Sequence, residues 1–212
     1  IEMPADDENI EQQTEILSRL DMTGVDGIAI SPLDAEGQSS RINRMPKDAV
    51  VVTFDSDAPQ SAPDTYVGPS NLAAGKLAAK LVREAIPDGG KVAVVLANLT
   101  KDNLIERREG FEASINERPD DEGTEAGPAY EVVEYVVDEG DDDKCRELVV
   151  KTMEEHPDLA CFVGMNAQHG PILLDVLKEK QNLNQIKVVA FDEEAETLAG
   201  VRSGEIYAAV VQ

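Results

Sequence analysis

The stretch VVVTFDSDAP, residues 50–59, decides how this chain is read. A β-branched, apolar run halts at a carboxylate, Asp55, and gives way to the turn-like Ser56-Asp57-Ala58-Pro59. Nearly the same wording returns at residues 188–196, VVAFDEEAE, where the run halts at Asp192. Continuous apolar runs without period-2 alternation mark strands covered on both faces. Twice, then, a buried strand delivers an acid from its carboxyl end.

Working outward, such runs alternate with helical patterns. Strands are expected at 25–31, 49–55, 65–68, 91–97, 130–138, 160–166, 186–192 and 206–212, and helices at 35–45, 71–86, 103–117, 144–155, 171–180 and 195–203. The 71–86 helix sets Leu72, Leu77, Leu81 and Val82 on one side, and Pro87-Asp88-Gly89-Gly90 stops it. Strand–helix–strand repetition means parallel sheets with right-handed crossovers, an α/β fold. With one more strand expected to be already ending in IEMPADDEN, residues 1–9, the count of about nine suits two sheets of roughly four to six better than one. The break falls in YVGPSN, residues 66–71. It divides the chain into a partial N-terminal lobe, 1–68, which lacks an opening β–α unit, and a nearly complete lobe, 69–212.

The 212 residues, 42% of them hydrophobic, suffice for one large domain or two small ones. The longest apolar runs, such as VAVVLA at 92–97, are far too short to span a bilayer. A net charge of −24 argues against a nucleic-acid face and against docking on anionic lipid. The first residue is Ile1 and no signal peptide is present, so a mature or truncated segment is expected. Cys145 and Cys161 lie at opposite ends of an expected helix, roughly 15 Å apart. A disulfide requires Cα atoms within about 7 Å, so two partly buried free thiols are expected.

In open parallel α/β sheets, ligands bind beyond the carboxyl ends of the strands. The groups leaving those ends are Ser31, Asp55, Asn98 or a neighbour, Asn166, Asp192 and Gln212. No two His or Cys stand at metal spacing, and Asp141-Asp142-Asp143 lacks the spaced acids and central glycine of a calcium loop. No glycine-rich nucleotide fingerprint follows a strand, and no nucleophile–base pair stands out. Neither catalytic residue, metal nor cofactor is therefore expected. Carboxylates, amides and a hydroxyl suit a neutral polyhydroxylated ligand, whose hydroxyls both donate and accept. A strand-end Asp can equally be a turn residue or helix N-cap. His169 reads as a solvent-facing helix-start residue that could also reach a ligand, and Glu193, Glu194 and Glu196 as acids favouring a helix N-terminus.

Six segments occur in one order and spacing: VDGIAISPLDAEG (25–37), VVVTFDSDAP (50–59), YVGPSNLAAGKLAAKLV (66–82), DNLIERREGF (102–111), HPDLACFVGMNA (156–167) and KVVAFDEEAETLAGVRSGEIYAAVVQ (187–212). Together they resemble the type I periplasmic binding proteins of the ribose type, solute receptors of sugar ABC transporters. The resemblance implies two doubly wound parallel-sheet lobes with a monosaccharide or related polyol clamped between them, and hinge closure on binding. It implies a membrane permease as partner, a monomer, and a periplasmic or lipid-anchored extracellular location. The family's first strand and helix, and its C-terminal return to the first lobe, are expected to be absent here.

Site residues carried over by the resemblance are Asp55 as the first-lobe acid, and Asn166, Asp192 and Gln212 as second-lobe hydroxyl binders. Ser31 sits where a polar residue often follows the strand. The family helix often reads Arg-x-Arg-x-x-Gly-Phe, its first Arg touching sugar; here that position is Ile105, in Ile105-Glu106-Arg107-Arg108-Glu109-Gly110-Phe111. Asn103 and Arg107 are the candidate replacements, with a solvated helix face as the alternative for Arg107. Sugar sites usually stack the ring on aromatics, yet Phe54 and Phe191 each precede a strand-end acid and so face the other way. The stacking residues are expected in the absent N-terminal part. The competing reading is the effector domain of a Lac repressor-type regulator, which uses the same fold. A signal peptide or a helix-turn-helix head in the complete gene separates the two.

Overall fold

The structure is a computed structural model that describes residues 1–5, 8–20, 24–117, 128–183 and 185–211. Gln212, one of the expected hydroxyl binders, lies outside the described residues. By spatial proximity the chain divides into two compact units, Ile1–Asn71 with Asn98–Glu106, and Leu72–Ala97 with Arg107–Gln212.

The first unit contains α1 (Ile10–Leu20), β1 (Gly27–Ile30), α2 (Ser39–Ile42), β2 (Val50–Phe54) and β3 (Thr65–Val67). Helix α1 is capped by Asn9, whose Oδ1 accepts the Gln12 amide at 2.9 Å. This helix corrects the expectation that the opening helix is absent. Its sequence, IEQQTEILSRL, sets Ile10, Leu17 and Leu20 at helical spacing, and Leu17 and Leu20 pack on the core of this unit. The helix expected at 35–45 contracts to α2. There Asp34 Oδ1 takes the Gly37 amide at 2.8 Å in a side-chain turn that competes with helix.

Strands β1, β2 and β3 form a parallel sheet in that order. Ile28, Ile30 and Val51 pack with Leu17, Ile42, Met45 and Ala58 on one side. The alternate residues Gly27, Ala29, Val50 and Phe54 are exposed. The expectation of strands covered on both faces therefore fails in this unit. Among its described residues, α1 and α2 pack on the same side.

The second unit carries the helices α3 (Asn71–Ala85), α4 (Asp102–Ile115), α5 (Asp142–Glu155), α6 (His169–Glu179) and α7 (Ala195–Ser203), the first two beginning within the first unit. Between them run β4 (Gly90–Leu96), β5 (Tyr130–Val137), β6 (Leu159–Gly164), β7 (Lys187–Phe191) and β8 (Ala208–Val210). The sheet order is β5-β4-β6-β7-β8, parallel throughout. Chain order reverses between β4 and β6, the topological switch point of a doubly wound sheet. Ala93, Val95, Phe162, Val188 and Ala190 join α5 and α6 on one face. Residues of the other parity, Val92, Val94, Leu96, Cys161, Val163, Val189 and Phe191, are equally buried. Here the two-face expectation holds. Eight strands are present among the described residues, in sheets of three and five; the first is smaller than expected.

Of the face that the sequence suggests for helix α3, Val82 is buried and Leu81 half-buried, but Leu72 and Leu77 are not. Leu72 and Leu77 are 40% and 43% exposed, while Ala74, Ala78, Ala79, Val82 and Ala85 are buried. The reason is a backbone contact with α4. A Cβ on Gly75 would fall on the Arg107 carbonyl, and one on Gly110 on the Leu72 carbonyl. Where the backbones meet only glycine fits, and the flanking positions hold alanines, so Leu72 and Leu77 point outward.

Both cysteines are free and fully buried rather than partly so. Burial pushes the Cys161 thiol up to about 12.

Candidate functional site

In the first unit, three groups converge on one oxygen of Asp55. Oδ2 accepts from Ser31 Oγ at 3.1 Å and from Asn103 Nδ2 at 3.2 Å, and Lys101 Nζ lies 3.9 Å away. Ser31 leaves the end of β1, Asp55 the end of β2, and Asn103 belongs to the first turn of α4. Asp55 has φ +59, a left-handed conformation unusual outside glycine. Its amide donates to Val67 O at 3.1 Å and its carbonyl accepts from the Tyr66 hydroxyl at 3.0 Å. Burial and the Asp55 charge raise the Tyr66 pKa, keeping that phenol a donor.

Asn103 is 4% exposed, and its Oδ1 is buried without a hydrogen-bond partner. A buried acceptor left unpaired costs about 1–3 kcal/mol, and a ligand hydroxyl would recover it. Glu8 and Lys101 complete the cluster, their charged atoms 3.6 Å apart. Asn98 Nδ2 also bonds Glu8 Oε2. Neither Glu8 nor Lys101 is legible as a site residue from sequence, because both reach the cluster from segments with no strand-end signature.

In the second unit, Asn166 sits across the switch point. Its Oδ1 accepts the amide of Ala97, just past β4, at 3.1 Å, while Asn166 itself stands two residues beyond the end of β6. With Oδ1 so engaged, the side chain can offer Nδ2–H to a ligand. Asp192 repeats the posture of Asp55, with φ +62 and its amide donating to Val210 O at 2.8 Å.

Arg107 is 3% exposed, which overturns the solvated-face alternative. Its guanidinium lies 4.8 Å from the Phe191 ring centroid, and Nη1 donates to Met165 O at 2.6 Å. It thereby ties the ends of β6 and β7 together. Phe191 is fully buried beneath it, away from a stacking position, whereas Phe54 is 44% exposed.

His169 is also corrected: it is completely buried, not solvent-facing. Nδ1 accepts the Asn166 amide at 3.2 Å, and Nε2 meets Asp138 Oδ2 at 2.8 Å. Burial alone would raise Asp138. The hydrogen bond and charge of His169, the Gly140 amide and the Cys145 thiol outweigh it and hold the carboxyl below its usual range. Asp138, Cys145 and His169 thus bring three potential metal-ligand atoms within 4.8 Å of one another. Nitrogen and oxygen ligands of a tetrahedral ion stand about 3.3 Å apart, so the 2.8 Å pair is a hydrogen bond.

The recess bounded by Met3, Gln12, Ile16 and Arg19 beside α1 contains none of the expected site residues. Ser31, Asp55 and Asn103 come together in the first unit. In the second, Arg107 bonds the carbonyl of Met165, next to Asn166, and Asp192 follows Phe191, the residue under Arg107.

Parallel sheets wound around a switch point, with amides and carboxylates at the strand ends, describe a solute-binding fold. The chain belongs to the periplasmic binding protein domain family, which it matches over residues 1–212. It is 24% identical over 202 residues to the ribose import binding protein of Bacillus subtilis (strain 168), covering 95% of this chain and 62% of that one. It is 20% identical over 214 residues to the D-ribose/D-allose-binding protein of Pseudomonas aeruginosa, covering 98% of this chain and 64% of that one.

Among solved structures, an ABC transporter solute-binding protein from Burkholderia graminis in complex with D-arabinose is 29% identical, with a TM-score of 0.82 over 93% of this chain and 66% of that one. A glucose-galactose binding protein from Geobacillus stearothermophilus is 28% identical, with a TM-score of 0.85 over 96% and 70%. The chain thus spans a little under two thirds of the curated relatives it matches. The relatives are solute-binding proteins, and among the described residues no helix is long and apolar enough to cross a membrane.

Proposed function

We propose that the complete protein is the solute-binding receptor of a sugar ABC importer. It binds a monosaccharide or related polyol without turning it over. The groups proposed to contact that ligand are Ser31, Asp55, Asn103, Arg107, Asn166, Asp192 and Gln212. Its partner is a membrane permease, and it acts as a monomer in the periplasm or tethered outside the cell by a lipid.

The observation that carries this reading is the buried, unpartnered Oδ1 of Asn103 beside the Asp55 carboxylate. An acceptor next to a carboxylate suits a hydroxyl pair, which donates to both. The non-catalytic reading rests on the buried thiols: thiolate is the nucleophile, and burial disfavours it at Cys145 and Cys161 alike.

Isothermal calorimetry of the full-length protein against pentoses, hexoses and cyclitols tests the proposal. Saturable binding of at least one sugar, with an accompanying rise in melting temperature, is expected. No binding across the panel overturns it, and consumption of a bound sugar overturns the non-catalytic part.

A further inference from the structure

We propose that His169, oriented by Asp138, is a positioning residue that holds Asn166 in its ligand-binding place, so that sugar affinity depends on which His169 nitrogen carries the proton. This rests on the reading above, in which Asn166 donates to the ligand.

The path runs through one unit and through named atoms. Asn166 is fixed at two points, its side-chain Oδ1 by the Ala97 amide at 3.1 Å and its main-chain N–H by His169 Nδ1 at 3.2 Å. An N–H can only donate, so His169 Nδ1 must be a bare acceptor. The single imidazole proton then resides on Nε2, where Asp138 Oδ2 receives it at 2.8 Å. Asp138 is in turn fixed: its amide donates to Leu96 O at 3.2 Å and its Oδ1 accepts the Gly140 amide at 2.9 Å.

The ring has no room to turn. His169 is completely buried and Asp138 is 1% exposed. A Cβ on Gly164 would overlap the His169 Cβ, so the residue that ends β6 is glycine where the imidazole needs the space. Asn166 is thus held by the ends of β4 and β5 as well as by β6, which it follows. The line from Asp138 through His169 to Asn166 crosses the switch point, where a doubly wound sheet places its ligand.

The charged and titratable groups around His169 are few. Asp138 precedes α5, and Cys145 on α5 hydrogen-bonds Asp138. Asp142 and Arg146, also on α5, act on Cys145 with opposite sign. Arg107 of α4 lies on the Met165 carbonyl, one residue before Asn166. Neutral Thr197 of α7 packs against Gly170, next along α6. A ring carrying its proton on Nδ1 would face the Asn166 N–H donor against donor and displace Asn166.

Two substitutions separate the nitrogens. His169→Asn keeps an acceptor where Nδ1 stands and gives up the contact with Asp138. His169→Gln reaches Asp138 and gives up the acceptor facing Asn166. Full-length protein is titrated at pH 8 with D-ribose, D-arabinose, D-glucose and D-galactose, and the tightest ligand is carried forward.

H169Q should bind about ten-fold more weakly at pH 8, and H169N only about three-fold more weakly. A structural role alone would lower the melting temperature of both variants and leave their affinities equal to wild type; that result overturns the proposal. So does a ring ¹⁵N spectrum at pH 8 showing the proton on Nδ1, a test that needs no variant to fold. Failure of wild-type protein to bind any of the four sugars would strike the receptor reading instead.

Discussion

Asp55 and Asp192 adopt the same left-handed backbone conformation, φ +59 and +62, and each donates its amide to the carbonyl that ends the adjacent parallel strand, Val67 at 3.1 Å and Val210 at 2.8 Å. Phe54 pairs with Val67 and Phe191 with Val210, so the same local construction is built once per unit. Asp and Asn tolerate this conformation best among non-glycine residues. The acid at the strand end is therefore selected by backbone as well as by chemistry.

That dual demand separates two substitutions at Asp192. Asp192→Asn keeps the tolerated backbone and loses the charge-assisted hydrogen bond, so sugar affinity should fall by about ten-fold with little change in stability. Asp192→Ala should lose binding and also about 1 kcal/mol of stability to the left-handed conformation. Calorimetry with thermal melts on both variants checks this. Equal melting temperatures would show that backbone conformation carries no selective weight there.

The α3–α4 contact reverses the usual sign of a glycine-to-alanine change. In an exposed helix that change gains up to about 1 kcal/mol. Gly75→Ala and Gly110→Ala would each drive a methyl into a backbone carbonyl, and each should cost about 2–3 kcal/mol. Urea denaturation measures the difference, and a stabilised variant would contradict the contact.

Cys145 and Cys161 should resist modification in the native state. Both are fully buried, and burial raises the pKa of each. Ellman's reagent should titrate neither thiol until denaturant is added. A thiol that reacts at the rate of a free model thiol in native buffer would refute the burial.

Asp138 gives stability a defined pH dependence. Its folded pKa lies below its ordinary value of 3.8. Its contribution is therefore complete above that ordinary value and is lost as pH falls through the depressed one. Asp138→Asn should cost about 2 kcal/mol at pH 7. The gap from wild type should narrow as pH drops below about 4. Denaturation of both proteins at pH 7 and pH 3 checks the sign. A gap that widens in acid would reverse it.

The patterns that survive in sequence are those in which one residue type suffices. Val-rich runs ending in Asp located β2 and β7 to within a residue at each end, because β-branched residues favour the extended chain whether one face is buried, as in β2, or both, as in β7. Helix α1 escaped notice although Ile10, Leu17 and Leu20 stand at helical spacing, because its eleven residues are otherwise mostly polar and no full apolar run precedes them within residues 1–9. The inward face of α3 was misread in part because apolar size normally marks the buried side. Here Gly75 and Gly110 bring two backbones together, and the flanking positions hold alanines. Lys101 and Glu8 escaped because nothing near them in sequence signals the partner they meet.

Chain chemistry alone determined the alternation of strands and helices, their parallel sense, and the acids and amides at the strand ends. These follow from local periodicity and from which side chains can leave a buried strand. Tertiary packing decided that Arg107 and His169 are interior residues, and that three donors share one oxygen of Asp55. A charged or polar residue near a helix start reads alike in solvent and in the core. Only the atoms that other segments bring to it settle whether its hydrogen bonds can be made away from water.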